Sequence, residues 1–178
     1  GGYLTAVIGG QKHVYGANMI DSLLTDEIID EIQKSFPYAV EKDVTMTARE
    51  FYSQYVMARK VTSVERSEII SLIGQIFADR KILLFTNDPD VRFRNVRNIG
   101  AVDYYKEMPD VFHSARINLN VSLRSILTGI PLRALDIMSS GGFLLSNYQV
   151  ELDNSFIAGQ EYDYYSDYED LCAKIEYY

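Results

Sequence analysis

The sequence predicts an α/β domain in which parallel strands form a sheet and helices cover both of its faces. Short apolar runs of strand length alternate with amphipathic stretches of helix length through the second half of the chain. Residues 143–145 (Phe-Leu-Leu) are wholly apolar, which is typical of a strand buried on both faces of a parallel sheet. Glycine and proline separate these segments. This order predicts one Rossmann-like domain over residues 1–178, with a helical insertion at residues 18–60 after the first strand.

The composition excludes several classes of protein. Hydrophobic residues make up 47% of the 178 residues, as in ordinary globular proteins. The net charge of -8 argues against nucleic acid and against an anionic membrane surface as partners. No apolar run reaches the length of a transmembrane segment, and no signal peptide is recognisable, so the sequence predicts a cytoplasmic protein. Cys172 is the single cysteine, which excludes a disulfide framework.

The first 80 residues are predicted to contain one strand followed by helices. The strand is at residues 3–8, and two glycines stop it. Thr47 and Glu50 have the spacing of a capping box at the start of one helix, and Thr62 and Glu65 have the same spacing at the next. The predicted helices cover residues 18–24, 26–36, 48–60 and 63–78.

From residue 81 onward, short strands and helices alternate. The predicted strands lie at residues 81–86, 117–121, 143–145 and 162–165, with one or two more at 96–105. A short helix is predicted at 109–115 and a longer one at 131–140. Ser166 and Glu169 are spaced as a capping box for the last helix.

The helix near residue 131 has clear signals at both ends. Pro131 suits the first helical turn, since its missing N–H would have no partner there. Gly141 and Gly142 suit the helix end, because glycine readily adopts the left-handed conformation. Leu132, Leu135 and residues 137–138 have the spacing of an apolar stripe.

Arg133 and Asp136 make this helix the centre of the candidate site. They are three residues apart and therefore share one face near the helix start. A helix start favours phosphate, a neighbouring cation strengthens that preference, and a carboxylate one turn later can hold sugar hydroxyls. The alternative interpretation is an intrahelical ion pair at the surface.

Ligands of parallel α/β sheets bind outside the carboxyl ends of the strands. This edge is predicted to carry residues 9–10, 87–90, 100–105, 122–128 and 146–148, together with the start of the helix near Pro131. His13 is a possible residue of this edge, whereas His113 is interpreted as structural. Asp88-Pro89-Asp90 has the form of a manganese-binding motif, but its proline and its place after a strand favour a turn.

Residues 117–152 resemble the C-terminal domain of group-1 glycosyltransferases of the GT-B fold, of the spore-maturation-protein type. Residues 98–116 and 161–178 resemble the same branch, so the resemblance covers the second half of the chain well. It implies a hexosyltransferase-type enzyme that transfers a sugar from a nucleoside diphosphate sugar without a metal cofactor. It also implies a separate N-terminal domain that supplies the acceptor site, so the isolated chain is expected to be inactive.

The resemblance also implies roles for individual residues. Asp136 stands at the acidic position that holds the nucleotide ribose. Thr128 stands where many members have a second glutamate that touches the donor sugar. The segment around Gly100, including Val102 and Tyr104, corresponds to the part that seats the base. Other residues expected to bind the nucleotide sugar are Asn120, Ser122, Arg124, Gly129 and Arg133.

The arginines have a chemical reason to be in this set. Glycosyl transfer develops negative charge on the leaving diphosphate, which helix-start amides and guanidinium groups can stabilise. Arg133 and Arg124 are the first candidates, and a second group consists of Arg92, Arg94 and Arg97.

Two other functions stay open at this point. The threonine at position 128 favours a non-catalytic binding or regulatory module on a degenerate domain of this fold. An oxidoreductase has weaker support, because no complete G-x-G-x-x-G follows the first predicted strand.

Overall fold

The structure, a computed structural model, describes residues 24–35, 47–126 and 128–178, apart from the side chains of Gln54 and Tyr55. The predicted strand at residues 3–8, His13 and residues 18–23 of the predicted first helix lie outside these ranges.

Helices and strands alternate through the described part of the second half of the chain. The helices are α1 (Asp26–Ser35), α2 (Ala48–Glu50), a π-helical segment (Phe51–Met57), α3 (Ala58–Ile76), α4 (Met108–Ser114), α5 (Leu132–Ser139), α6 (Val150–Ser155) and α7 (Tyr168–Tyr177). The strands are β1 (Ile82–Leu84), β2 (Val96–Asn98), β3 (Asn118–Asn120), β4 (Leu144–Asn147) and β5 (Asp163–Tyr165). All pairings between these strands are parallel, which confirms the predicted α/β class.

The chain divides into two compact units. The first contains the described residues up to Ser63 and those of the segment 122–129. The second contains Val64–Val121 and Ile130–Tyr178. The single domain with an insertion at residues 18–60 stays a prediction.

The first unit is helical, as the sequence indicates for this region. Its buried cluster contains Leu24, Ile29, Tyr52 and Ala58. The predicted capping box at Thr47 is confirmed, since its side chain and that of Glu50 each accept a hydrogen bond from the other residue's backbone N–H.

The two helices predicted at residues 48–60 and 63–78 are one continuous helical run, so the predicted helix start at Ser63 is wrong. Thr62 does not cap a helix; its hydroxyl donates to the carbonyl oxygen of Ala58 at 2.8 Å inside α3. The same hydroxyl oxygen accepts a hydrogen bond from the backbone N–H of Arg124 at 3.0 Å. These two contacts satisfy a buried polar side chain without a break in the helix.

The second unit is built around the sheet β3-β4-β5, with β4 in the centre. Leu119 pairs with Leu145, and Leu145 pairs with Asp163. The strands β1 and β2 form a separate two-stranded sheet, so the described strands make two sheets rather than one. The predicted buried strand at residues 81–86 is shorter and more open than expected, because Leu83 in the small sheet is 37% exposed.

Helices pack on both faces of the larger sheet, as predicted. Leu145 lies in one buried cluster with Ile69 and Ile73 of α3 and with Leu171 of α7. Leu144, its neighbour, lies in a second cluster that also contains residues of α4, α5 and α6: Met108, Phe112, Ala134, Ile137 and Leu152. The alternation of side chains along β4 thus separates the two layers of helices.

The end of α5 agrees with prediction, whereas its start and its buried face differ. Gly141, with φ of 73°, and Gly142 donate to the carbonyl groups of Met138 and Ile137, the two hydrogen bonds of a Schellman motif. Pro131 is the N-cap residue and not part of the first turn.

The predicted apolar stripe on α5 is wrong in its first half. Ala134 and Ile137 face the core, whereas Leu132 is 77% and Leu135 is 38% exposed. The spacing of apolar residues is compatible with the burial of either face of α5. Packing on β4 buries the face that carries the small alanine.

The cap of α7 is shifted by one residue from the prediction. Asp167, not Ser166, is the N-cap, and its carboxylate accepts from the N–H of Asp170 at 2.8 Å. Lys174 of α7 reaches back to Asp163 of β5, with 2.8 Å between its Nζ and Oδ1. This ion pair joins the last helix to the edge strand.

Gly74 lies where α3 crosses the connection between β1 and β2. Asn95 donates from its amide to the Gly74 carbonyl oxygen at 2.9 Å, and a Cβ at Gly74 would lie 2.2 Å from the Arg94 carbonyl oxygen. Both segments meet through their backbone atoms at this contact, so neither segment can move aside easily.

We therefore expect Gly74→Ala to lower the free energy of unfolding by about 1–3 kcal/mol, as overpacking does, although alanine favours a helix by up to ~1 kcal/mol. Urea denaturation followed by circular dichroism measures the change. Gln75→Ala, at the exposed next position, is the matched control and should change the stability little. A Gly74→Ala protein at least as stable as the wild type would contradict this contact.

Candidate functional site

The start of α5 faces the edge of the larger sheet where β3 ends. The strands β3 and β4 are parallel neighbours, and α5 lies between them in the chain and packs on β4. A helix in such a connection runs antiparallel to the strands, so its first turn points toward their carboxyl ends. No described side chain caps this first turn. Its N–H groups therefore face the edge at which α/β proteins bind ligands.

Tyr104 and Asp136 are directly joined at this place. The Tyr104 hydroxyl donates to Oδ2 of Asp136 with 2.5 Å between the oxygens. Both residues are half-buried, and Tyr104 packs against the buried cluster that contains Phe112. Within the described chain, the second carboxylate oxygen of Asp136 has no hydrogen-bond partner, so it can accept from a ligand.

Arg133 completes this group of three. Its guanidinium carbon lies 5.8 Å from the centroid of the Tyr104 ring. The described residues include no ion pair between Arg133 and Asp136, which removes the interpretation of these two as a surface pair. Their shared helix face is confirmed, but Tyr104 is the residue that links them.

Burial is the main reason why the pKa of Tyr104 is raised above its ordinary value. The hydrogen bond to Asp136 and the negative charge of that carboxylate raise it further, whereas the positive charge of Arg133 opposes the shift. Tyr104 is therefore a neutral hydrogen-bond donor at physiological pH.

Arg66 belongs to the same region, and sequence reasoning did not single it out. Its guanidinium donates through Nε and Nη2 to the carbonyl oxygen of Val121, at 3.0 and 2.6 Å. Desolvation lowers the pKa of Arg66, and the nearby positive charge of Arg133 lowers it further. Neither arginine forms an ion pair within the described ranges, although the negative charge of Glu65 partly opposes the lowering of the Arg66 pKa.

Other predicted site residues have contacts of their own. Asn120 is buried at the end of β3 and donates to the Ser146 hydroxyl oxygen at 3.0 Å. Val102 is half-buried against the cluster around Phe112. Arg92 donates to the carbonyl oxygens of its own turn, at Pro89 and Val91.

Four predicted site residues belong to the first unit and are described there. Ser122 and Arg124 are buried, whereas Thr128 and Gly129 are exposed. Gly129 has φ of 85°, which L-residues with a side chain rarely adopt. Their part in ligand binding stays a prediction.

Asp88-Pro89-Asp90 forms a turn, as its sequence favours. The Asp88 carboxylate accepts from the N–H of Asp90 at 3.0 Å. Across the described ranges, no group of three or more His, Cys, Asp or Glu side chains is placed to hold a metal ion. None of the described helices has the length and hydropathy of a membrane span.

The family of the chain is evident from a sequence comparison. The model of the family described as "Glycosyl transferase-like" matches residues 61–178. The chain belongs to this glycosyl transferase-like family. No curated protein and no solved structure matches the chain at a significant level. The matched region of the glycosyl transferase-like protein contains Arg66, Tyr104, Arg133 and Asp136, the residues gathered near the start of α5.

The raised pKa of Tyr104 has a measurable consequence for stability. Because the folded protein holds this proton more tightly than the unfolded chain, the contribution of Tyr104 is complete below the unfolded pKa of about 10 and is lost as pH rises through the folded pKa. The difference in unfolding free energy between the wild type and Tyr104→Phe should therefore be constant near neutral pH and fall as the pH rises above about 10.

Urea denaturation of both proteins at each pH tests this sign. In Asp136→Asn, the pKa of Tyr104 should move part of the way back to its ordinary value, since the carboxylate charge is removed and the burial remains. A difference in stability that rises with pH would show that the Tyr104 hydroxyl is not held in this way.

Proposed function

We propose that the chain is the donor-binding domain of a GT-B fold glycosyltransferase of the spore-maturation-protein type, and that it binds a nucleoside diphosphate sugar without a metal ion. The main support for this proposal is that Tyr104, Arg133 and Asp136 lie together beside the start of α5, which no described side chain caps. Membership of the glycosyl transferase-like family supports the same reaction class.

The diphosphate would lie at the start of α5. Free N–H groups and the helix dipole favour an anion there, and a diphosphate carries more charge than one helix start can balance. Arg133 and Arg66 supply two guanidinium groups that form no ion pair in the described chain, although the negative charge of Glu65 acts on Arg66. The same groups would stabilise the charge that develops on the leaving diphosphate during transfer.

The ribose would lie on Asp136. A carboxylate only accepts hydrogen bonds, so its partner must be a donor such as a sugar hydroxyl. One oxygen of Asp136 is held by Tyr104, and the other is available. The segment around Gly100, which precedes Tyr104, would contact the base through its backbone groups.

We expect Asp136→Ala to weaken binding of the preferred nucleoside diphosphate by about tenfold to a hundredfold, because hydrogen bonds to a charged group are worth roughly 1.5–3 kcal/mol. Isothermal titration calorimetry with UDP, GDP, ADP and dTDP identifies the preferred base and measures this loss. Glu169→Ala, an exposed carboxylate on α7, is the matched control and should bind as the wild type does.

Two results would count against the proposal. Unchanged affinity in a folded Asp136→Ala protein would remove Asp136 from the site. Failure of the wild type to bind any of the four nucleotides would favour the alternative function, a non-catalytic module on a degenerate domain.

The two arginines should act on the phosphates alone. Arg66→Gln and Arg133→Gln should each lower the affinity for inorganic pyrophosphate and for the nucleoside diphosphate by similar factors of about ten or more. Each should also reduce the dependence of binding on salt concentration, since one charge is lost. Arg116→Gln, at an exposed arginine just before β3 and therefore at the opposite edge of the sheet, is the matched control.

Calorimetry over a series of salt concentrations measures both effects, and urea denaturation checks that Arg66→Gln remains folded without its contact to Val121. Equal binding of pyrophosphate by the wild type and both variants would exclude this pair from the anion site.

A further inference from the structure

We propose that Tyr104 is a positioning residue for Asp136: its hydroxyl holds one carboxylate oxygen so that the other faces the ribose hydroxyls of the nucleotide. This inference rests on the proposed function and adds a role for a side chain in a segment otherwise expected to act through its backbone.

The geometry places Tyr104 as the partner that fixes the Asp136 carboxylate. The distance of 2.5 Å between the two oxygens is that of a strong hydrogen bond to a carboxylate. Among the described residues, no other side chain forms a hydrogen bond or ion pair with this carboxylate, and the Arg133 guanidinium lies near the Tyr104 ring instead. Without the Tyr104 hydroxyl, the Asp136 carboxylate would have no hydrogen-bond partner among the described residues.

The Tyr104 ring is itself held in place. It is half-buried and packs against the buried cluster that contains Met108 and Phe112. Tyr105, the next residue, meets the ring edge-on with 5.8 Å between the centroids. A hydroxyl on a fixed ring can orient a carboxylate before the ligand arrives, which lowers the entropy cost of binding.

A comparison of two ligands, a nucleotide and pyrophosphate, distinguishes this positioning role from a general effect on the site. The free oxygen of Asp136 can bind the hydroxyl groups of a nucleotide ribose, and pyrophosphate has no ribose. A positioning role therefore affects nucleotides and leaves pyrophosphate binding unchanged. A role in the folding or shape of the site would affect both ligands.

The test is calorimetry of the whole chain with UDP, GDP, ADP and dTDP and with inorganic pyrophosphate. Tyr104→Phe keeps the ring and removes only the hydroxyl. Tyr177→Phe makes the same change at a side chain of α7 that is 80% exposed and lies outside the proposed site, and it is the matched control. The double variant Tyr104→Phe with Asp136→Ala shows whether the two side chains act together.

We expect Tyr104→Phe to bind the preferred nucleotide about tenfold more weakly than the wild type, because the carboxylate must then be ordered when the ligand binds, and to bind pyrophosphate equally well. Tyr177→Phe should bind both ligands as the wild type does. In the Asp136→Ala background, the tyrosine substitution should have no further effect.

The inference is overturned if Tyr104→Phe binds the nucleotide as tightly as the wild type, if it loses the two ligands equally, or if its loss persists in the Asp136→Ala background. In these cases nucleotide binding by the wild type leaves the proposed function intact. If the wild type binds none of the four nucleotides, the proposed function and this inference both fail.

Discussion

The burial of β4 is the constraint on which the rest of the second unit depends. All four of its residues are buried, and Leu144 and Leu145 point into different clusters of helices. A shift of one residue in the register of β4 would turn each leucine toward the opposite layer of helices. The register with β3 and β5 is therefore fixed. The position of α5 is fixed as well, because a short connection with two glycines joins α5 to β4.

Those glycines determine how closely α5 approaches α4. A Cβ at Gly142 would lie 2.6 Å from the carbonyl oxygen of Phe112 and 2.7 Å from Nδ2 of Asn118, so a side chain cannot be accommodated there. His113 lies 3.1 Å from the carbonyl oxygen of Ser140 through its Nδ1 atom. With its end held in this way, a helix of only ~12 Å in length has little freedom at its start. Asp136 is thereby kept within hydrogen-bond distance of Tyr104.

Signals that act locally could be predicted from the sequence, whereas contacts between distant segments could not. The glycine end of α5, the apolar run at residues 143–145 and the cap at Thr47 each depend on a few adjacent residues. Thr62 misled the prediction because a buried threonine inside a helix has the same sequence signature as an N-cap until its partner at Ala58 is known. No local sequence pattern indicated Arg66, since its hydrogen bond to Val121 depends on α3 meeting the end of β3. The sequence and the family resemblance identified Asp136 as a candidate site residue. Only the structure identified Tyr104 as its hydrogen-bond partner.

We propose above all that a nucleoside diphosphate binds at the start of α5 beside Tyr104 and Asp136. Amide hydrogen exchange of the chain, with and without a saturating nucleoside diphosphate, tests the location directly. We expect slower exchange of the amides in the first turn of α5 and in residues 100–105, since ligand contacts there would protect exposed N–H groups. Saturable binding with protection confined to other segments would show that the ligand lies elsewhere and would contradict the account.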